Sequence, residues 1–579
     1  MHFDLRHATR PPVWLTHYPR DKLSQDLLAG LIVGILVIPQ SLGYAMLSGL
    51  PPVYGLYSAM VPVLVYAWVG SSNVNAVGPV AITAIMTAQA LQPYSELPPA
   101  HYAIMASFLA LMTGTILWLA SVFRLGWITQ FISRGVTAGF ISGAAILILV
   151  GQIKYVTGIA MGGNSLPEYI ETWLLHRHEL HVPTLMVGVV AFLLLLINRY
   201  WLKQWLTPWL PTKKIDVVTR VLPLLVLAVG IAASGFWHFA DDGILTIANV
   251  PTGLPHFVMP FYSISPVELL ALLPAAGLMA LIAFVSSNSV ASSYARRRGE
   301  LYYANQELRG LGLANMAGAF FQSFTTVGGF SRTAINVDAG AQSPLASVLS
   351  VVVMAIVLVF FSQLLAPLPY AILGATIMSA IISMVDLDTL RQALRYDKLD
   401  AAAFLVALVG VLLFGLNVGL VAGLFTSFAG LIWQSSHPHI AIVGQIGDTG
   451  HFRNIHRHQV TQLDALLIIR VDESLFYGNA QSVLDFIEGA VAAHPATKDV
   501  VLMLSAVNHI DLTAQDMLIN LTKSLASQQI NLHFSEVKGP VMDIIEQTEV
   551  IHSLTGHVFL STAEAVQYLS TTQVYGNGG

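Results

Sequence analysis

Long apolar runs divided by short polar breaks occupy residues 27–433 and set the architecture of the chain. Residues 27–95 carry no charged side chain, far more than one crossing needs at roughly 20 residues per helical span. Pro39, the pair Pro51 and Pro52, and the stretch 70–79 divide this run. That predicts two full spans and then an apolar piece at 80–91 too short to cross alone. Further apolar runs lie at 101–123, 135–150, 182–197, 221–239, 269–295, 311–321, 345–365, 371–385, 401–414 and 418–433. With the short pieces after Gly78 and Gly328 counted as half-helices, the pattern predicts fourteen membrane segments.

After Trp433 the pattern changes. Short apolar runs at 465–471, 500–504 and 530–534 read as buried strands, and they alternate with amphipathic helical stretches at 480–493, 513–526, 541–547 and 563–569. Such alternation predicts a small α/β domain. The chain therefore divides into an N-terminal arm at 1–25, a transmembrane domain at 26–433, a linker at 434–460 and an α/β domain at 461–579.

Composition agrees. A chain of 579 residues with 55% hydrophobic and 10% charged residues is not an ordinary soluble protein. Its mean hydropathy is +0.67. A net charge of −5 gives no reason to expect a nucleic-acid partner. The absence of cysteine removes disulfides, thiolate nucleophiles and cysteine metal sites. His437, His439, His451, His456 and His458 crowd the linker, but without cysteine and with solvated flanks they predict no metal site, and no cofactor is expected. The spans hold no cluster of histidines and carboxylates suited to acid–base chemistry, so the reading is not an enzyme.

Lysine and arginine occupy every second loop: Arg124 and Arg134, then Arg199 to Arg220, then Arg296, Arg297 and Arg298, then Arg391, Arg395 and Lys398. By the positive-inside rule both termini are cytoplasmic and the protein sits in the plasma (inner) membrane. The arm, with Arg6, Arg10, Arg20 and Lys22 and no short apolar core behind them, reads as cytosolic rather than as a secretory signal.

The stretch 325–333, Thr-Thr-Val-Gly-Gly-Phe-Ser-Arg-Thr, carries the chemistry. Between Arg309 and Asp386 the only charged residues are Arg332 and Asp338, and a lone arginine at membrane depth costs several kcal/mol unless something there needs a positive charge. Gly328 and Gly329 let the backbone turn and approach a ligand, and a helix starting at Phe330 would aim free N–H groups at the same spot. The plainer alternatives are an arginine that snorkels to headgroups or bonds backbone carbonyls. Residues 76–83 align without gaps on 326–333, each copy at a break before a short segment and each third in a half of seven spans. An odd repeat inverts the second half, so two half-helix N-termini would meet near the midplane, the logic of inverted-repeat secondary transporters.

Several fragments in order resemble one family: Ile38-Pro39-Gln40-Ser41-Leu42-Gly43-Tyr44-Ala45 with Gly49-Leu50-Pro51-Pro52-Val53-Tyr54-Gly55-Leu56-Tyr57, then Val77-Gly78-Pro79, then Asn305-Gln306-Glu307-Leu308 with Gly312-Leu313-Ala314-Asn315, then Gly329-Phe330-Ser331-Arg332-Thr333-Ala334 and Ala339-Gly340-Ala341. Together they look like the sulfate permease (SulP) family of anion transporters, and the α/β tail resembles a STAS domain. The resemblance implies an all-α polytopic membrane domain of seven plus seven inverted segments with two half-helices. It also implies a mobile core and a dimer-forming gate, hence a homodimer, and a cytoplasmic STAS domain open to a cytosolic regulator. It places the anion against the backbone of Val80, Ala81, Phe330 and Ser331, near Arg332, with Gln40 and Tyr44 lining the pocket.

One departure stands out. In the family it resembles, many proton-coupled members have a glutamate in the eighth segment and some sodium-coupled ones an aspartate, where this chain reads Phe284-Val285-Ser286-Ser287-Asn288-Ser289. Ser286 can offer a hydroxyl to the anion but cannot carry a proton as a carboxylate does. Asp338, the one carboxylate expected near the site, falls about two turns beyond Arg332 and is a possible coupling residue. Thr513 matches a phosphorylated position of regulatory STAS domains, although as a helix N-cap it would serve equally well. The expected function is secondary active transport of an inorganic anion, sulfate first. Bicarbonate or a dicarboxylate, exchange, or a channel-like protein of the same fold are the alternatives.

Overall fold

Proline and glycine cut the apolar runs into helices, though not at every proline. The computed structural model describes residues 12–16, 18–131, 133–247, 253–261, 265–447 and 449–576, and it divides into two compact units, Met1–Ser427 and Phe428–Gly579. Helix α1 (Leu23–Leu47) runs through Pro39, so that residue is not the break the sequence suggested. A proline inside a membrane helix is tolerated where neighbouring groups satisfy the carbonyl it frees. Pro51 and Pro52 do end the segment, and α2 (Val53–Ser58) and α3 (Val61–Val69) form the second span. Strand β1 (Val77–Gly78) leads into the half-helix α4 (Ala81–Ala90).

The first half continues with α5 (Pro99–Val122), α6 (Arg134–Thr157), the amphipathic α7 (Leu166–His176), α8 (Val182–Ile197) and α9 (Thr212–Trp237). The second half opens on α10 (Pro266–Arg298), whose N-terminus is fixed by a capping box between Ser265 and Glu268. It ends where Gly299 turns left-handed after Arg296, Arg297 and Arg298. Then come α11 (Ala304–Ala319), strand β2 (Val327–Gly328), the half-helix α12 (Phe330–Asp338), α13 (Leu345–Phe360), α14 (Tyr370–Ile381), the amphipathic α15 (Leu387–Tyr396), α16 (Lys398–Phe414) and α17 (Leu416–Ser436). Taking α2 with α3 as one and leaving α7 and α15 aside, the described residues give seven segments up to α9 and seven from α10.

Close helix contacts come from small residues, as expected where lipid removes most of the hydrophobic drive between helices. Helix α11 lies along α5, and a Cβ on Gly114 would stand 2.8 Å from the Gly312 carbonyl oxygen. Helix α1 separates two apolar clusters: Tyr44 and Ala45 pack with Phe108, Phe140 and Phe324, whereas Val37 and Leu42 pack with Leu56, Leu358 and Leu373.

The second unit is built on a six-stranded sheet in the order β4-β3-β5-β6-β7-β8, formed by β3 (Ile440–Gln445), β4 (Phe452–Asn454), β5 (Leu466–Val471), β6 (Asp499–Met503), β7 (Asn531–Ser535) and β8 (Val558–Phe559). Strands β5 to β8 run parallel, and β3 pairs antiparallel with β4 and β5. Helices α18 (Ala480–Ala493), α19 (Leu512–Ser527), α20 (Gly539–Ile545), α21 (Glu549–Ser553) and α22 (Thr562–Gly576) alternate with the strands. The stretch 434–460, read from the sequence as a linker, thus holds two strands of the sheet; their polar and histidine-rich edges hid the alternation.

Candidate anion site at the paired half-helices

The two breaks meet. Strands β1 and β2 pair antiparallel with Val77 opposite Gly328 and Gly78 opposite Val327, the exchange a pseudo-two-fold axis produces from Val-Gly in both copies. Helices α4 and α12 leave this ladder with Val80 and Gly329 as N-caps, and neither has a side-chain cap. Their first-turn N–H groups have no intrahelical acceptor, so two positive dipole ends flank one ladder.

Arg332 comes from the first turn of α12 and is 4% exposed. Its guanidinium lies over the Cα of Gly78, so closely that a Cβ there would collide with Nη1. Nη2 donates to the Pro79 carbonyl at 3.2 Å and to Ser41 Oγ of α1 at 3.3 Å. Nε is buried without a partner. Neither Pro79 nor Ser41 offers an acid, so these contacts hold the cation through neutral groups and leave it an unspent donor.

Tyr44, one turn along α1 from Gln40 and Ser41, is buried within electrostatic reach of Arg332. Gln40 is half-buried. Val80 and Ala81 form the start of α4, and Phe330 and Ser331 the start of α12. The side chains of Phe330 and Ser331 lie outside the described residues. Ser286 Oγ of α10 donates to the Gly328 carbonyl at 3.3 Å, so the serine reaches β2. Asp338 is the last residue of α12 and is exposed, away from the ladder end of that helix.

The expectation that Asp338 is the one carboxylate near the site does not hold. Glu307, in the first turn of α11, is 0% exposed. It accepts hydrogen bonds from Tyr66 Oη at 2.7 Å, Ser287 Oγ at 2.6 Å, Asn75 Nδ2 at 3.0 Å and Ser71 Oγ. Asn75 lies two residues before β1, so this carboxylate is tied to the segment that leads into the ladder. In the sequence Glu307 stands among Glu300 and Arg309 in what reads as a polar loop before the apolar run at 311–321. The helix starts earlier, at Ala304, and that start takes Glu307 inside.

In the second unit Thr513 is exposed in the first turn of α19, and the N-cap is Asp511, whose carboxylate accepts from Ala514 N at 2.9 Å. The capping role considered for Thr513 therefore belongs to Asp511. His439 bonds Asp472 at 2.7 Å. Burial pushes the Asp472 carboxyl up, but hydrogen bonds from Arg470 and His439 outweigh this and hold it below the usual carboxylate value.

Fourteen segments among the described residues, in two inverted halves with paired half-helices between them, define a multi-pass membrane transporter of the inverted-repeat class. Residues 23–407 match the sulfate permease family and residues 457–565 the STAS domain. The chain is 30% identical to sulfate transporter 4.1, chloroplastic, of Arabidopsis thaliana, over 94% of this chain and 79% of that one. It is 29% identical to a probable sulfate transporter of Mycobacterium tuberculosis over 96% and 97% of the two chains. Among solved structures, the murine solute carrier 26 family member A9 anion transporter in the inward-facing state superposes with a TM-score of 0.86, at 22% identity over 97% of this chain and 94% of that one. The transmembrane domain of a cyanobacterium bicarbonate transporter, BicA, superposes with a TM-score of 0.59 at 17% identity, over 71% and 98%. The chain belongs to the sulfate permease family of anion transporters, and its relatives are transporters rather than enzymes.

Proposed function

We propose that this protein is a secondary active transporter that carries sulfate across the plasma (inner) membrane by alternating access, with the anion bound between the N-termini of α4 and α12. The observation that carries the reading is Arg332: a buried guanidinium over Gly78, held by neutral partners, with a free Nε–H. Two helix ends at roughly half a positive charge each, added to one guanidinium, total about two positive charges and match a dianion. Gln40, Tyr44, Val80, Ala81, Ser286, Phe330 and Ser331 complete the surroundings of the anion in this reading. The names of the relatives, sulfate transporters in plants and a mycobacterium, support sulfate over other anions.

The arm at 1–25 and the STAS domain lie in the cytoplasm, and two copies associate as a homodimer. A coupling role for Asp338 is disfavoured by its exposed position at the far end of α12. Thr513, exposed on α19, is open to a cytosolic kinase or another regulator of the STAS domain. Uptake of labelled sulfate, bicarbonate and succinate into proteoliposomes under imposed proton or sodium gradients tests substrate and coupling together. Sulfate should accumulate fastest, at the low turnover of alternating access. Failure of every anion to enter or bind would overturn the reading, and channel-like flux would overturn its mechanism.

A further inference from the structure

We propose that Glu307 is the protonatable counter-charge of the anion site, standing in for the eighth-segment carboxylate that is Ser286 in this chain; the assignment rests on the anion-transport reading above. One glycine of the ladder makes room for a charge and the other for two neutral groups that hold a charge. Gly78 leaves room for the Arg332 guanidinium, and Gly328 leaves room for the Asn75 amide and the Ser287 hydroxyl, both of which would meet a Cβ placed there and both of which hold Glu307.

All four groups on the Glu307 carboxylate are neutral donors: Tyr66 and Ser71 on Oε2, Asn75 and Ser287 on Oε1. Arginine or lysine would lock a carboxylate in its charged form. Three of these four partners are instead hydroxyls, which exchange donor and acceptor roles by rotation. A proton reaching Oε2 turns the carboxylate into a carboxylic acid, and the Ser71 hydroxyl turns from donor to acceptor with no heavy atom displaced.

The proton has a route. Ser71 is partly exposed, and Asn73 beyond it is exposed and donates to Glu300 at 3.1 Å, which pairs with Arg298 at 2.7 Å. One hydroxyl therefore separates Glu307 from the face that carries Arg296, Arg297 and Arg298. The signal has a route as well. Asn75 Oδ1 accepts from Thr333 Oγ1 at 3.1 Å, and Thr333 Oγ1 accepts from Ala76 N at 3.0 Å. Thr333 follows Arg332 on α12 and Ala76 precedes β1, so the state of Glu307 reaches both halves of the site through three hydrogen bonds in series.

The other titratable groups around Glu307 are few. Tyr66 faces it from α3, and Tyr302 from the segment before α11. From α10 the facing group is Ser287, the charged groups of that helix being at its ends. The titratable groups of α5, His101 and Tyr102, lie in its first turn, at the opposite end from the Ser121 contact with Asn305. The 3-10 turn at 125–131 offers none. Across the ladder the charged group is Arg332.

With Glu307 ionised the site holds about one net positive charge, and with Glu307 protonated about two, by the helix-end charges used above. A proton on Glu307 and a dianion beside Arg332 therefore favour each other, and the coupling is reciprocal.

The test uses the full chain in proteoliposomes with labelled sulfate, with and without an inward proton gradient. The unmodified protein should be stimulated at least about five-fold, the low end of ordinary coupling between sites. Glu307→Gln should lose the stimulation, and Glu307→Asp, which restores a carboxylate, should recover part of it. Because an amide set against four donors can unfold the helix, a second measurement uses the unmodified protein: sulfate added to a weakly buffered detergent solution should withdraw about one proton per bound anion. Full stimulation in Glu307→Gln, or sulfate binding without proton uptake, overturns the assignment while leaving the anion site standing. No binding of any anion by the unmodified protein removes the transport reading itself, and this assignment with it.

Discussion

Arg332 and Gly78 depend on each other. The guanidinium occupies the space a Cβ at position 78 would need, and it bonds the carbonyl of the next residue, Pro79. A methyl group at Gly78 must move the arginine, at a cost of about 1–3 kcal/mol for an overpacked site. Gly235, in α9, has nothing within 4 Å of its Cβ position. Gly78→Ala should reduce sulfate uptake by about ten-fold or more, given that 1.4 kcal/mol is a factor of ten, while Gly235→Ala leaves it near normal. Equal uptake in the two variants, measured in proteoliposomes at matched protein, would contradict the packing described for the site.

At the scale of elements, each half-helix is short because the chain must turn at a ladder before it, and each is left uncapped where a ligand would sit. Helix α19 shows the ordinary arrangement. Asp511 caps it and also accepts from Tyr477 N at 2.8 Å. Asp511→Ala should lower the stability of the STAS unit by about 1 kcal/mol, the usual worth of a cap, whereas Thr513→Ala should change it little. Urea unfolding followed by far-ultraviolet circular dichroism separates the two.

The membrane segments were legible because roughly 20 apolar residues in a row leave few alternatives, and the break at 325–333 was legible because Arg332 is isolated in that background. Four of the five STAS-unit helices described, α18, α19, α20 and α22, followed from their amphipathic spacing, whereas the five-residue α21 was too short to show any. Strands β3, β4 and β8 were not legible: β4 and β8 are edge strands of three and two residues, and the apolar run of β3 is cut short by Gly444 and flanked by His437 and His439. Amphipathic α7 and α15 were missed because a search for continuous apolar runs passes over helices with one polar face. Glu307 was missed for a different reason. Its burial follows from where α11 starts and from donors on three other segments, and linear spacing carries no trace of that meeting.

For the whole molecule, the alternation of basic loops predicts which side each loop faces. The chain has no cysteine, so single introduced cysteines report sidedness without background. In intact cells a membrane-impermeant thiol reagent should label Glu171→Cys, on α7, and should reach Arg297→Cys, at the end of α10, only after the membrane is opened. Labelling of Arg297→Cys in intact cells would invert the topology.

All of these arrangements converge on one small volume, where two helix ends and one buried cation meet between inverted halves. Equilibrium binding of labelled sulfate to the purified full chain, compared between the unmodified protein and Arg332→Gln, tests that convergence most directly. Loss of a charge-assisted contact is worth about 1.5–3 kcal/mol, so the variant should bind sulfate at least about ten-fold more weakly with little change in melting temperature. Unchanged affinity in Arg332→Gln would contradict the account and leave the arginine as a structural cation tied to Ser41 and Pro79.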